Sequence, residues 1–353
     1  MKGHLLVESP GLSTTVQDLG RFGHQDLGIP VSGALDHIAL RVSNGLVCNP
    51  LSTAAFEIRM YGPTLLVEAE SIRVALTGTS THLEVLNPTT RLVPPWESVR
   101  LQQGERFRIG QLRDTSCCYL AVEGGFAIPP EFGSQSTYLR GNIGGFEGRA
   151  LQHGDRIPLC LGHVEDRNEL RLREPPESDN RSPIRVVLGP QDAHFTPQAV
   201  QTFLEGTFTI SHQADRMGLR LEGPALSHAR GFNIVSDGIA TGAVQVPGTG
   251  KPIILLADHQ TTGGYPKLAA VASVDLPRLG RMMPGSALRF SAFSVEEAEE
   301  ARRSQEHKTL ELLAGLVPIR GPKAIDGTTL LGTNLISGFI SANDQDQSAT
   351  GPF

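Results

Sequence analysis

The chain reads as mainly β: two cyclophilin-like β-barrel halves with a few short helices and a helix near the C-terminus. Three observations carry the β assignment. Short apolar runs recur from end to end, and 39 glycines and 24 prolines punctuate them. Two stretches repeat a strand-and-turn pattern: Ser71-Ile-Arg-Val-Ala-Leu-Thr-Gly78 resembles Pro183-Ile-Arg-Val-Val-Leu-Gly-Pro190. A third pattern, Leu101-Gln-Gln-Gly-Glu-Arg-Phe107, recurs as Leu151-Gln-His-Gly-Asp-Arg-Ile157, and more loosely as Met283-Pro-Gly-Ser-Ala-Leu-Arg-Phe290. Each copy places a glycine turn before a strand. Duplicated turns of this kind hint at two related halves.

With 353 residues the chain is long enough for two domains and a sizeable core. The polar, proline-bearing stretch 173–183 reads as a linker. The domains expected are 1–175, an N-terminal barrel-like half; 183–292, a C-terminal barrel-like half; and 294–353, a helix and tail. Helices are few. Residues 33–46 carry Ile38, Leu40, Val42 and Leu46 on an apolar component, with Asp36 near the start. Thr196 and Pro197 open a second helix to Leu204 as N-cap and first helical residue. Ser294 and Glu297 form a capping box for a third, which runs to Leu313 and stops at Gly315. The tail carries Leu330, Leu331, Leu335, Ile336, Phe339 and Ile340 among polar residues. They predict that part of residues 325–342 packs on the body or on a partner.

Charge and cysteine usage exclude several classes. The net charge is −6 with no basic stripe, which argues against nucleic acid. No apolar run approaches a membrane span. Cys48, Cys117, Cys118 and Cys160 form no CxxC pair, so they read as plain thiols of a reducing cytoplasm. The N-terminus meets Glu8 and Pro10 too early for a secretory signal. Cys117 and Cys118 lie in a strand pattern, so their side chains should face opposite ways. No HExxH, GxSxG or strand-borne GxGxxG occurs, no metal-ligand spacing is present, and no Met-Lys-Met biotin-attachment segment is found. Gly248-Thr-Gly-Lys-Pro252 lacks the first glycine and the final Ser/Thr of a P-loop, and reads as a turn.

The chemistry concentrates in Pro252-Ile-Ile-Leu-Leu-Ala-Asp-His-Gln-Thr-Thr-Gly-Gly-Tyr-Pro-Lys267. The run Ile253 to Ala257 reads as a buried strand. It delivers Asp258, His259, Gln260, Thr261 and Thr262 onto a loop loosened by Gly263 and Gly264, closed by Tyr265 and Lys267. A dry strand ending in donors, acceptors and titratable groups suits a site. Asp258 or His259 is the candidate general acid or base. Tyr265 and Lys267 are candidates for binding a carboxylate or developing oxyanion. Asp215, Arg216 and Gln245 are expected nearby. Tyr138, Arg140 and Arg149 on the glycine-rich stretch 138–149 could clamp an anion. Gln17, Asp18, Arg21 and His24 cluster between glycines before Gly28-Ile-Pro-Val-Ser-Gly-Ala-Leu-Asp36. That cluster reads first as a capped helix start, and second as an anion loop.

Ser9-Pro-Gly-Leu-Ser-Thr-Thr-Val-Gln-Asp-Leu-Gly-Arg21, Gly28 to Asp36, Leu139-Arg-Gly-Asn-Ile-Gly-Gly-Phe-Glu-Gly-Arg149, Asp215-Arg-Met-Gly218 and Ala257 to Lys267 together resemble one family. It is the allophanate hydrolase subunit 2, or biotin-dependent carboxyltransferase, family, which includes the C component of 5-oxoprolinase, KipA and a region of urea carboxylase. The resemblance covers about residues 5–292. It implies the two cyclophilin-like halves. It also implies a subunit 1/KipI-like partner, and ATP-dependent cleavage of 5-oxoproline to glutamate together with a LamB-type 5-oxoprolinase subunit. The alternatives it implies are carboxyl transfer from carboxybiotin to urea, which needs biotin on separate chains, and KipA-like sequestration of a kinase inhibitor. Asn44-Gly-Leu-Val-Cys-Asn49 departs from the relatives' usual Asn-Arg-Leu-Val-Gly-Asn at Cys48, a departure expected to be structural in effect.

Overall fold

A computed structural model describes residues 3–176 and 182–319. The tail segment 325–342 and part of the linker lie outside these residues. The N-terminal half is built from two antiparallel sheets. One has six strands in the order Arg156–Pro158, His4–Ser9, Thr64–Val67, Arg106–Ile109, Leu83–Asn87, Arg91–Val93. The other has five: Ser13–Gln17, Ala55–Arg59, Cys117–Val122, Ser71–Thr77, Ser98–Gln102. One core joins them, with Leu5, Phe56, Leu65, Val74 and Phe107 fully buried.

Strand alternation then decides what lies behind the five-stranded sheet. Cys118, Leu120 and Val122 enter the first core, whereas Cys117, Tyr119 and Ala121 enter a second. The opposite orientation of the two cysteines follows directly. The second face is covered by α1, His37–Leu46, whose Asp36 N-cap accepts from the Ile38 and Ala39 amides at 3.0 Å. The same core continues into the C-terminal half, so α1 sits between the halves.

That half is one eight-stranded, nearly closed sheet: Ala287–Leu288, Phe208–Ile210, Gly218–Glu222, Ile253–Leu255, Ala243–Gln245, Lys267–Val271, Ile184–Leu188, Phe290–Ala292. Its helix α2, Pro197–Glu205, carries the Thr196 cap and adds Phe203 to a trio with Phe208 and Phe290. A third helix, α3 (Leu276–Arg281), has no counterpart in the sequence reading; six residues are too few to show a helical period. The last helix, α4 (Val295–Ala314), has the capping box at Ser294 and Glu297. It packs on α1, where Arg41 and Glu306 pair in two 2.7 Å bonds. The strand after it, Leu316–Pro318, pairs with Leu170–Leu172 of the N-terminal half.

The recurring turn has one cause. Gly104, Gly154 and Gly285 have φ of +82°, +88° and +86°, with open space where a Cβ would go. Conformation, not crowding, requires glycine there. Cys48 adopts φ +60° without being glycine. Glycine would adopt that φ without strain. Cys48→Gly is therefore expected to stabilise the fold by about 1 kcal/mol, read from a shift in urea midpoint. Gly45 shows the opposite constraint: a Cβ would lie 2.9 Å from Leu313 Cδ2 and 3.1 Å from Leu316 Cδ1. The last turn of α4 and the strand after it occupy the space an arginine side chain would need. Gly45→Arg should cost roughly 1–3 kcal/mol and raise amide exchange in the last turn of α4.

Candidate functional site

Part of each of the five motif segments meets at the seam between the halves. The strand expected at 253–257 ends at Leu255, and the chain turns into the loop that carries Asp258. Arg216 is the hub. It is buried, and its guanidinium bonds both Asp258 oxygens at 2.8 and 3.0 Å, a Glu57 oxygen, and the Gly33 carbonyl at 2.7 Å. Glu57 is fully buried and also accepts from the Leu35 amide at 2.9 Å and the Tyr119 hydroxyl at 2.6 Å. Tyr119 in turn accepts from the Asp36 amide at 2.8 Å. Burial works against the Arg216 charge, yet Asp258 and Glu57 outweigh it and hold its pKa above the ordinary value. Burial, then Glu57, raises the Tyr119 pKa well above its usual range, so the phenol stays protonated.

Both Asp258 oxygens hold Arg216, so its carboxylate serves as the anchor of that guanidinium at the cleft wall. Sequence reading missed Glu57 and Tyr119. The signal was present for Glu57, an acid in the middle of the run Ala55-Phe-Glu-Ile-Arg59, where charge is not found without a partner.

In front of Arg216 and Asp258 opens a cleft of about 460 Å3, lined also by Arg59, Arg140, His212, Asp215 and Met217. Arg140 and Asp215 face each other at 4.0 Å and are more than half exposed. The cleft is thus shared by the halves and carries three arginines and two aspartates. Tyr138 stays on its own hairpin, its ring against Gly141. Arg149 pairs with Asp155 and Glu147, apart from these groups.

The other predicted residues form a second cluster. Lys267 is buried, and its Nζ donates to Asp237 at 2.6 Å and to the Gly238 carbonyl at 3.0 Å. Lys267 and Gln191 hold the Asp237 pKa below the usual carboxylate range, together with the Gly238 amide. Gln245 is buried beside it and reaches the Tyr265 carbonyl at 3.4 Å. Thr262 and Gly263 pair with Asp237 and Gly238, and a Cβ on Gly263 would meet Gln245 Nε2 at 2.8 Å. The Thr261 and Gly264 carbonyls accept from Ile239 and Ile234. Gln260 and Tyr265 are exposed at the rim.

His259 lies beneath this loop, with no exposed surface. Its Nδ1 is 2.7 Å from the Gln260 carbonyl, which can only accept. The proton is therefore on Nδ1, and Nε2 accepts from the Thr241 hydroxyl at 3.1 Å. Burial pushes the His259 pKa below its ordinary 6.5. The unfolded chain then binds a proton that the folded chain refuses. His259 should thus subtract stability as pH falls below about 6.5, and have no such effect above it. His259→Asn is expected to flatten the decline of the urea midpoint between neutral pH and about pH 5. His37, lowered by burial in the same direction, supplies the residual slope.

Among the described residues no group of three His, Cys, Asp or Glu is placed to hold a metal, and no helix is long and apolar enough to cross a membrane. Lys251 is spent on Glu222 at the surface, and Gly250 closes a turn onto Pro247, as expected of a turn that is no P-loop.

A family model described as carboxyltransferase domain, subdomain A and B, matches residues 27–292. The chain belongs to that family. Within it, the C component of Haemophilus influenzae 5-oxoprolinase is 36% identical over 292 residues, covering 83% of this chain and 92% of that protein. Its Escherichia coli equivalent is 37% identical over 298 residues, covering 84% and 93%. The crystal structure of K. lactis urea amidolyase superposes with a TM-score of 0.77 at 27% identity, over 88% of this chain. The chain spans about a fifth of that much longer protein. The resemblance read from the motifs therefore holds at the level of the family.

Proposed function

We propose that this chain is the C component of an ATP-dependent 5-oxoprolinase complex that opens 5-oxoproline to glutamate. The observation that supports this reading best is the match in length. The two 5-oxoprolinase C components correspond to this chain over more than nine-tenths of their own length, urea amidolyase over a fifth. The arginine-bearing cleft suits a small carboxylate-bearing lactam, with Arg59 and the exposed Arg140 on its wall. In this reading Lys267, a buried ammonium beside Gln245, stabilises developing oxyanion charge. Asp258 and Glu57 fix Arg216 at the cleft wall, and His259 positions Thr241 and the loop above it. Gly248 to Lys251 forms a plain turn and not a phosphate cradle, and the partners in this reading are a subunit 1/KipI-like chain and a LamB-type chain.

The family model and the urea amidolyase superposition favour a second reading: carboxyl transfer from carboxybiotin to urea or a related amide. It requires biotin carboxylase and carrier segments on other chains. Co-expression with both partners, followed by ATP-dependent assays on 5-oxoproline, urea and allophanate, separates the two. Glutamate release from 5-oxoproline supports the first, and carboxylation of urea the second. A tight complex with no turnover on any substrate would instead favour KipA-like regulation.

A further inference from the structure

Arg21 is, with Arg73, one of the two largest fully buried side chains among the described residues, 1% exposed, and two of its three guanidinium nitrogens have no hydrogen-bond partner there. Nη2 donates to the Ser136 carbonyl, but Nε and Nη1 have no partner. A further buried donor on the same segment is also unpartnered, Ser32 Oγ. Buried donors left open cost folding free energy and are seldom tolerated without a use.

The nearby carboxylates are already committed. Asp18 accepts from Gly20 N, Ser134 Oγ, Ser136 Oγ and Gln135 N at 2.5 to 2.8 Å. Asp258 holds Arg216, and Glu131 accepts from the Gly144 amide at 3.1 Å. Burial accordingly lowers the Arg21 pKa despite these charges. Ser32 holds φ +54°, a strained conformation for serine. The backbone ties it to the seam. Its amide donates to the Ala257 carbonyl at 3.0 Å, and the next carbonyl, Gly33, accepts from Arg216. The Arg21 amide bonds Val31, one residue before Ser32. The open guanidinium edge and the open hydroxyl thus belong to one loop, next to Arg216 and Asp258.

We propose that Arg21 and Ser32 form an internal seat for a planar oxyanion, a carboxylate or bicarbonate, which partners the guanidinium's unsatisfied donors. If the functional reading above holds, the carboxylate is that of 5-oxoproline. A forked donor pair fits two carboxylate oxygens, and Ser32 adds a third donor.

The test titrates 5-oxoproline, its uncharged analogue 2-pyrrolidinone, and bicarbonate separately into the full chain and into the partner complex, with thermal melting and calorimetry as readouts. Wild type should be stabilised by 5-oxoproline or bicarbonate and not by 2-pyrrolidinone; whichever anion acts identifies the source. Arg21→Gln should bind that anion roughly ten- to hundredfold more weakly while melting no lower than wild type without ligand, because an unpaired buried cation is removed. Ser32→Gly, which relieves the φ strain, should melt higher and bind more weakly. Equal anion stabilisation in wild type and Arg21→Gln would overturn the seat, as would a lower ligand-free melting point of Arg21→Gln. Turnover is measured in the same complex. Activity on 5-oxoproline together with anion stabilisation that does not depend on Arg21 overturns the seat alone. Arg21-dependent anion binding in an inactive complex upholds the seat and overturns only the functional reading.

Discussion

Replacing Arg216 by methionine should destabilise the protein by about 3–5 kcal/mol, enough to abolish a stable fold in a marginal domain. The side chain removed is the only bonded partner of both Asp258 oxygens among the described residues, and it also neutralises Glu57. Both acids would be left buried, with exposures of 5% and 0%. Lost attraction is the smaller part of the effect; the larger part is two carboxylates stranded out of water. Adding Asp258→Asn and Glu57→Gln to Arg216→Met should therefore recover part of the loss. Urea denaturation of the single and triple variants checks this. A single-variant loss under about 1 kcal/mol would place the seam in contact with water, as for surface pairs.

Lys267→Ala should lower ATP-dependent turnover of 5-oxoproline by the complex by about a hundredfold or more, as expected for loss of one oxyanion donor. Stability should change far less than for Arg216. The partner Asp237 is 53% exposed and would be resolvated once the ammonium is gone. Asp237→Asn separates binding from position: it keeps the ammonium but loosens its anchor, so turnover should fall less than in Lys267→Ala. Steady-state kinetics on folded, assembled variants gives both numbers. Wild-type turnover in Lys267→Ala would move the chemistry out of this cluster, toward the arginine cleft.

The β architecture was legible because its cause is local. Glycine turns at 104, 154 and 285 and the caps at Asp36, Thr196 and Ser294 act within a few residues. The alternation that sends Cys117 and Cys118 apart is equally local. The site was legible only as a set of motifs. That Asp258 belongs to Arg216, and Lys267 to Asp237, depends on how strands from different segments line up, and no short-range pattern encodes that. Glu57 and Tyr119 sit one strand apart in sequence-distant positions and meet only across the five-stranded sheet. Arg21 was visible as part of a cluster, but the burial that makes it unusual arises from the stretch 134–149 folding over it. The short helix α3 escaped for lack of length.

The most direct test of the central claim is glutamate release from 5-oxoproline, coupled to ATP hydrolysis, by the co-purified three-chain complex, measured with this chain present, omitted, and replaced by Lys267→Ala. The account predicts release only with the wild-type chain present. Undiminished release when the chain is omitted, or ATP-dependent carboxylation of urea with no release of glutamate, would contradict it.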